Sequence, residues 1–324
     1  MEPVLRDLSV EEWPSYFRGM ASLWGGGLAE EPFITYQRRL AWSAEAAGRY
    51  RLLGLCDDGG KGRVLSAFKA YELAGTTGGT ATALRVLGIG AVFTPPELRR
   101  RGHASAMLAA ALEQHARSGF HAALLFSDIG ASLYRRLGFA LLESTECLIA
   151  ADQLPKAVTA RSATGGDEPV ISGLLAAGRA QSGLQLARDG WILRFQLRRL
   201  RELARSRSVA EPEWGLLVDP RASLLGEPRG GRGAALVRLS RDAIDILDAG
   251  WTTTAARDSL FAAVRDCCQR ARRDLVRLWP AHQLRDLFPA SARQSALSML
   301  APLQPGVALP GEGGPAELAL LDHI

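Results

Sequence analysis

Between Val92 and Ser105 the chain reads Val-Phe-Thr-Pro-Pro-Glu-Leu-Arg-Arg-Arg-Gly-His-Ala-Ser, three arginines and a glycine ahead of a helical pattern. That order of residue types suits an anion. The first turn of a helix leaves several N–H groups without intrahelical partners, and the peptide dipoles add partial positive charge there. A pyrophosphate can therefore be held largely by backbone. Gly102 lets the backbone come close, Ala104 keeps the next inward position small, and Arg99, Arg100 and Arg101 supply forked donors. A second glycine-rich stretch, Gly-Gly-Lys61-Gly-Arg63, lacks the earlier glycine and the following Ser or Thr of a nucleotide loop and reads as a hairpin turn. His115, His121 and His282 stand apart without ligand spacing, and no metal site is expected.

The elements that must position the arginine turn follow from periodicity. Helical spacing runs over Leu8 to Trp24 and Phe33 to Ala47, then alternating runs predict strands over Tyr50 to Cys56 and Val64 to Leu73. Ala83 to Phe93 predicts a central strand, stopped by Pro95 and Pro96, which lack the ladder donor. A helix over Gly102 to Ser118 follows, with Met107, Leu108, Ala111 and His115 on one face. A strand over Ala122 to Phe126, a short helix through Ser132 to Leu137 and a strand near Phe139 to Ile149 close the first unit. Ala150 to Pro169 reads as a linker. A similar order then recurs: helices over Val170 to Gln181 and Trp191 to Arg205, strands over Gly215 to Asp219, Ala234 to Ser240 and Ala243 to Gly250, a helix over Thr254 to Arg273, and strands near Leu275 to Trp279 and Ala296 to Leu303, with a short helix near His282 to Leu287. The expected units are 1–150, 151–310 and a tail 311–324, in an α/β (α+β) architecture with mixed central sheets flanked by helices.

Composition bounds the function. The 324 residues are 47% hydrophobic and 23% charged, which fits a globular chain of two domains. No apolar run reaches the length of a bilayer span and the first residues are acidic, so membrane and secreted readings are disfavoured and a cytoplasmic setting is expected. Cys56, Cys147, Cys267 and Cys268 show no C-x-x-C spacing and read as reduced thiols. The net charge of +5 comes from 39 basic residues, of which only Lys61, Lys69 and Lys156 are lysines. Spread over this length it is a weak field, and no basic stretch is interleaved with aromatics, so nucleic acid is not an expected partner. The arginine-dense helix from Arg194 to Arg207 reads as a solvated face paired with Glu202.

Arg99-x-x-Gly102-x-Ala104 after a strand resembles the acyl-CoA signature of the GNAT N-acetyltransferase superfamily, and Tyr134-Arg-Arg-Leu-Gly138-Phe139 resembles its downstream Tyr-x-x-x-Gly-Phe element. The stretches WGGGL, AVFTPPELRRRGHASAML and LFSDIGASLYRRLGF are similar, more narrowly, to the fungal lysine N-acetyltransferases and their bacterial relatives, and more distantly to tandem-domain bacterial acetyltransferases. The resemblance implies tandem GNAT-like folds with acetyl-CoA as cosubstrate and no metal. It implies that Val92, Phe93 and Thr94 pair with pantetheine, that Arg99, Arg100, Arg101, Gly102, His103, Ala104 and Ser105 surround the pyrophosphate, and that Tyr134 is the catalytic acid at the departing sulfur. Ser127 stands where the superfamily commonly has Asn, in the pattern of the narrower lysine-type group.

The strand from Ala83 to Phe93 has no Glu, Asp or His, so the superfamily's frequent strand-borne base is missing. Glu30, Glu31, Asp128, Asp245, Asp248, Asp322 and the carboxylate of Ile324 are candidates to bind an amine, with Trp251 and Trp279 shaping its pocket. After Ala243 to Gly250 the second half reads Trp251-Thr-Thr-Thr-Ala-Ala-Arg257, without the signature, and is expected to bind no CoA but to wall the acceptor pocket. Three functions stay open: acetyl transfer to a lysine-like small amine, transfer to an aminoglycoside, polyamine or protein lysine, and a non-catalytic acyl-CoA sensor or scaffold. The oligomeric state is open.

Overall fold

The computed structural model describes the chain except residues 1, 10, 26, 58–61, 78–82, 157–159, 179–182, 208–215, 219–230 and 324. The tip of the expected hairpin at 58–61 and the terminal carboxylate of Ile324 therefore lie outside the described residues. In chain order the first half contains β1 (Val4–Asp7), α1 (Trp13–Trp24), α2 (Glu30–Ala41), β2 (Tyr50–Cys56), β3 (Val64–Thr77), β4 (Leu84–Phe93), α3 (His103–Arg117), β5 (Ala122–Ser127), α4 (Ser132–Arg135), β6 (Ala140–Leu141) and β7 (Thr145–Ala150). The second contains β8 (Arg161–Ser162), α5 (Glu168–Ala177), β9 (Leu184–Leu186), α6 (Gly190–Ser206), β10 (Leu216–Val218), β11 (Gly233–Leu239), β12 (Ala243–Trp251), α7 (Thr254–Ala271), β13 (Leu275–Leu278), β14 (Ser291–Ala292) and β15 (Leu297–Pro302).

Two mixed sheets result, ordered β1-β2-β3-β4-β5-β15-β6, with β9 joined to β3, and β14-β7-β13-β12-β11-β10-β8. Each holds one parallel pair bridged by a long helix: β4 and β5 across α3, β12 and β13 across α7. The recurrence of element order is thus a recurrence of topology. The boundary at 150 does not separate the sheets, however. β15, from the second half, runs antiparallel to β5 from Leu297 opposite Ser127 to Pro302 opposite Ala122. β7, from the first half, pairs with β13 in return. The single strand expected over Phe139 to Ile149 is broken accordingly: β6 stays in the first sheet and β7 enters the second.

Apolar spacing explains how the first sheet is covered. On α1, Trp13, Tyr16, Phe17 and Met20 form one buried stripe. They pack with Phe33, Tyr36 and Leu40 of α2 and with Phe195 of α6 on one face of the sheet. Met107, Leu108 and Ala111 of α3 cover the other face. The covering helix α6 belongs to the second half, and its Phe195 ring lies 5.6 Å from Tyr50 and 5.9 Å from Tyr71. All four cysteines are free and buried.

Candidate acyl-transfer site

The site is built where β4 and β5 part. Their ladder runs from Val86 opposite Ala122 to Ile89 opposite Leu125 and stops, while both strands continue. On its other side β4 pairs with β3 as Ala67 opposite Phe93 and then Lys69 opposite Gly90, so Ala91 and Val92 face Phe68 alone. This is a β-bulge, a device that re-aims a strand. Ala91 adopts φ 49°, and its carbonyl accepts a hydrogen bond from the buried Tyr16 hydroxyl, which also lies 3.3 Å from the Ala67 carbonyl. Gly19 of α1 presses on the Phe93 ring so closely that a Cβ there would come within 2.6 Å of it.

Beyond β4 the chain turns through Thr94 to Gly102 into α3. Arg99 anchors the turn by donating from Nε to the Thr94 carbonyl at 3.1 Å. Arg100 (φ 62°) and Gly102 (φ 81°) both adopt left-handed backbone, a conformation that turns successive N–H groups toward a concave anion site. Gly102 is the N-cap and no side chain caps the helix, whose first backbone bond is Ala106 N to the Gly102 carbonyl at 2.9 Å. The N–H groups of His103, Ala104 and Ser105 precede that bond and have no intrahelical acceptor. At α7 the corresponding end is different: the Thr253 hydroxyl accepts from Ala256 N at 3.2 Å, so a side chain caps α7 where none caps α3.

A cavity of about 940 Å³ connects this turn to the parted strands and to the second half. Val92, Phe93, Thr94, Arg99, Arg100, Gly102, His103, Ala104 and Ser105 all line it, as do Tyr134 and Asp128. The expectations for Arg101 and Ser127 differ from what is seen. Arg101 is exposed and off the cavity wall, and the Ser127 hydroxyl is turned to the Gly130 carbonyl at 2.6 Å, where it shapes the loop ahead of α4. Tyr134 lies on α4 with its ring edge-on to Phe139, and among the described residues its hydroxyl has no hydrogen-bond partner. Burial, with a further contribution from Asp128, pushes its phenol up to about 12, so it carries its proton through the neutral range.

The acceptor side departs from the carboxylates proposed for it. Glu30 and Glu31 are exposed at the start of α2, with Arg18 2.8 Å and 3.7 Å away, off the cavity. Trp251 packs on Phe261, away from it, and Trp279 stands behind Phe126. Asp245 pairs with Arg238 and Arg277. Asp248 and Asp322 are buried around Arg188 at 2.5 Å and 2.6 Å, which ties the tail to β12. Among the described residues Asp128 is the one carboxylate on the cavity wall, and its Oδ1 accepts from Ala296 N at 2.9 Å. The residues that do form this wall are Tyr36 and Gln37 of α2, Lys69 and Tyr71 of β3, Gln196 and Arg199 of α6, and His323 of the tail. The face read as solvated on α6 is therefore divided. Arg198 and Arg205 hold the buried Glu202, while Arg199 turns inward. The sequence signal for Lys69 was available: a lysine inside the otherwise apolar run of a central strand, where only a satisfied or functional charge is tolerated.

Among the described residues no three His, Cys, Asp or Glu side chains gather as a metal site, and no helix is long and apolar enough to cross a membrane. Residues 5–142 match the family model described as Acetyltransferase (GNAT) domain. No curated protein sequence matches the chain. Among solved structures, a conserved protein of Enterococcus faecalis is similar at TM-score 0.62 and 15% identity, over 94% of this chain and 73% of its own. GCN5-related N-acetyltransferases from Kribbella flavida (TM-score 0.60, 20% identity, 92% of this chain and 70% of that one) and Anabaena variabilis (0.61, 18%, 94% and 73%) are likewise similar. At those identities the likeness is one of fold. The family match itself is confined to residues 5–142, the stretch that is an acetyltransferase (GNAT) domain.

Proposed function

We propose that the chain transfers an acetyl group from acetyl-CoA to a primary amine, a lysine-like small molecule, in a ternary complex and in a cytoplasmic setting that suits its four free thiols. One observation carries the reading: the arginine-glycine turn, the exposed strand edge and a tyrosine hydroxyl without a partner among the described residues open onto a single cavity. The turn before α3 would take the pyrophosphate. The free edge of β4 at Val92 to Thr94 would pair with the pantetheine amides as an added strand, and a backbone N–H there would polarise the thioester carbonyl.

The amine nitrogen then forms a bond to the carbonyl carbon, the tetrahedral oxyanion collapses, and the C–S bond breaks with the electron pair going to sulfur. Tyr134 donates a hydrogen bond to that sulfur. Complete proton transfer to a thiolate of pKa about 8.5 is uphill from this phenol, so the hydrogen bond is its main contribution at the moment of cleavage. No carboxylate, histidine or lysine stands on β4, so the amine arrives deprotonated, or loses its proton to water or to a group elsewhere on the cavity wall. The likeness of the WGGGL stretch, Ala91 to Leu108 and Leu125 to Phe139 to lysine-type enzymes supports the choice of acceptor.

Thiol release from acetyl-CoA with a panel of small amines tests the reading. Tyr134→Phe is expected to lower kcat by about 10²-fold or more while leaving the KM for acetyl-CoA nearly unchanged. Gly102→Glu is expected to raise that KM, because it sets a β-carbon at φ 81° and a negative charge at the anion turn. Tight CoA binding with no amine-dependent turnover would instead make the protein an acyl-CoA sensor.

A further inference from the structure

Among the described residues, two cations on the cavity wall have no counter-charge. Lys69 is buried on β3 opposite Gly90, one strand away from the bulge at Ala91, and its Nζ donates to the neutral Gln37 Oε1 at 2.8 Å. Arg199 of α6 donates from Nη1 to the His323 carbonyl at 3.1 Å and lies by the Tyr36 and Tyr71 hydroxyls. Neither forms an ion pair with a carboxylate among the described residues. Arg238 faces the same space, but its charge is taken by Asp245. Burying a cation without an anion is costly, and the protein concentrates that cost at two side chains facing one space. Burial, with the repulsion of Arg199, pushes the Lys69 ammonium down to about 7, as an uncompensated site requires. An acceptor with several ammonium groups would add to this repulsion, and among the described residues the wall offers it only Asp128.

We propose that the amine acceptor carries a carboxylate, and that Lys69 and Arg199 bind it, so that the substrates are amino acids and not polycationic amines. This rests on the acetyltransferase reading given above. Lys69 in its protonated form supplies a point charge and Arg199 a planar fork that matches a carboxylate edge, with Tyr36 and Tyr71 beside Arg199. The amine of the acceptor then points along β3 toward the strand edge at Ala91 to Phe93.

The test uses pairs that differ only by the carboxylate: lysine against cadaverine, and ornithine against putrescine. The wild-type protein is expected to show kcat/KM at least tenfold higher for the amino acid of each pair, mainly through KM, the size of one or two lost charge-assisted contacts. In Arg199→Met and in Lys69→Met that ratio is expected to collapse toward unity, with the KM for acetyl-CoA and the cooperativity of thermal unfolding showing that each variant is folded. Calorimetric binding of the same pairs to the CoA-loaded protein separates the two proposals. Preferential binding of the amino acids without turnover sustains the carboxylate site and sinks the transferase reading. Equal or better turnover of the decarboxylated amines by the wild type sustains transfer and overturns the carboxylate site.

Discussion

Tyr134 and Lys69 are two ionisable groups displaced in opposite ways by the same cavity. In the proposed transfer the protonated form of Tyr134 is the working form, and burial protects it. With saturating substrates, kcat is therefore expected to show no alkaline fall below about pH 10, and a loss near pH 8 would remove the tyrosine from the role. For Lys69 burial disfavours the charged form and brings its folded value to about 7, against about 10.4 in an unfolded chain. Between those values the unfolded chain binds more protons, so this residue makes stability rise with pH from about 7 to about 10. Denaturant unfolding of the wild type at pH 6.5 and 9.5, set beside Lys69→Met, checks the sign, since the variant should lose that slope. What the sequence reveals at this scale is uneven. The turn residues and Tyr134 are legible because their chemistry is local, a helix start and a short spaced motif. Tyr36, Tyr71 and Arg199 are not, because only the packing of α6 onto the first sheet brings them together.

Among the elements, the bulge in β4 sets the geometry on which acyl transfer depends. Tyr16 spans it, hydrogen-bonded to the Ala91 carbonyl and near that of Ala67. Tyr16→Phe removes the donor and leaves a partly buried carbonyl short of a partner, so a stability loss of about 1 to 3 kcal/mol is expected, with a fall in kcat larger than any change in thermal midpoint explains. Measuring both on one preparation distinguishes a positioning role from simple loosening. Element order and most element bounds follow from periodicity and proline stops, as for α3 and the strand before it. The strand near Phe139 to Ile149 fails for a physical reason. Local pattern cannot show that Leu142 N bonds to Ser298, that the Ser144 hydroxyl accepts from Ser298 N, or that the chain then leaves for another sheet.

At the scale of the molecule, the exchange of β7 and β15 makes the halves interdependent. Without β15 the first sheet would end at β5, exposing the backbone edge from Ala122 to Ser127 and removing Met299 and Ala301 from the core under α3. An open apolar edge is an aggregation hazard. A chain ending at residue 150 is therefore expected to be insoluble or to unfold without a cooperative transition. Recovery of a folded, CoA-binding fragment would show that the exchange is dispensable. The acceptor wall tells the same story, since α6 and the tail complete a cavity that the first half opens. The buried Arg188 group, holding Asp248 and Asp322, fixes that tail, and Arg188→Met is expected to cost about 3 to 5 kcal/mol by stranding two carboxylates. Direct transfer within one cavity is tested most simply by initial rates of thiol release over a grid of acetyl-CoA and amine concentrations. Intersecting reciprocal plots with amine-dependent turnover are the predicted result. Parallel lines, signalling an acetylated enzyme, or thiol release indifferent to the amine, would contradict it.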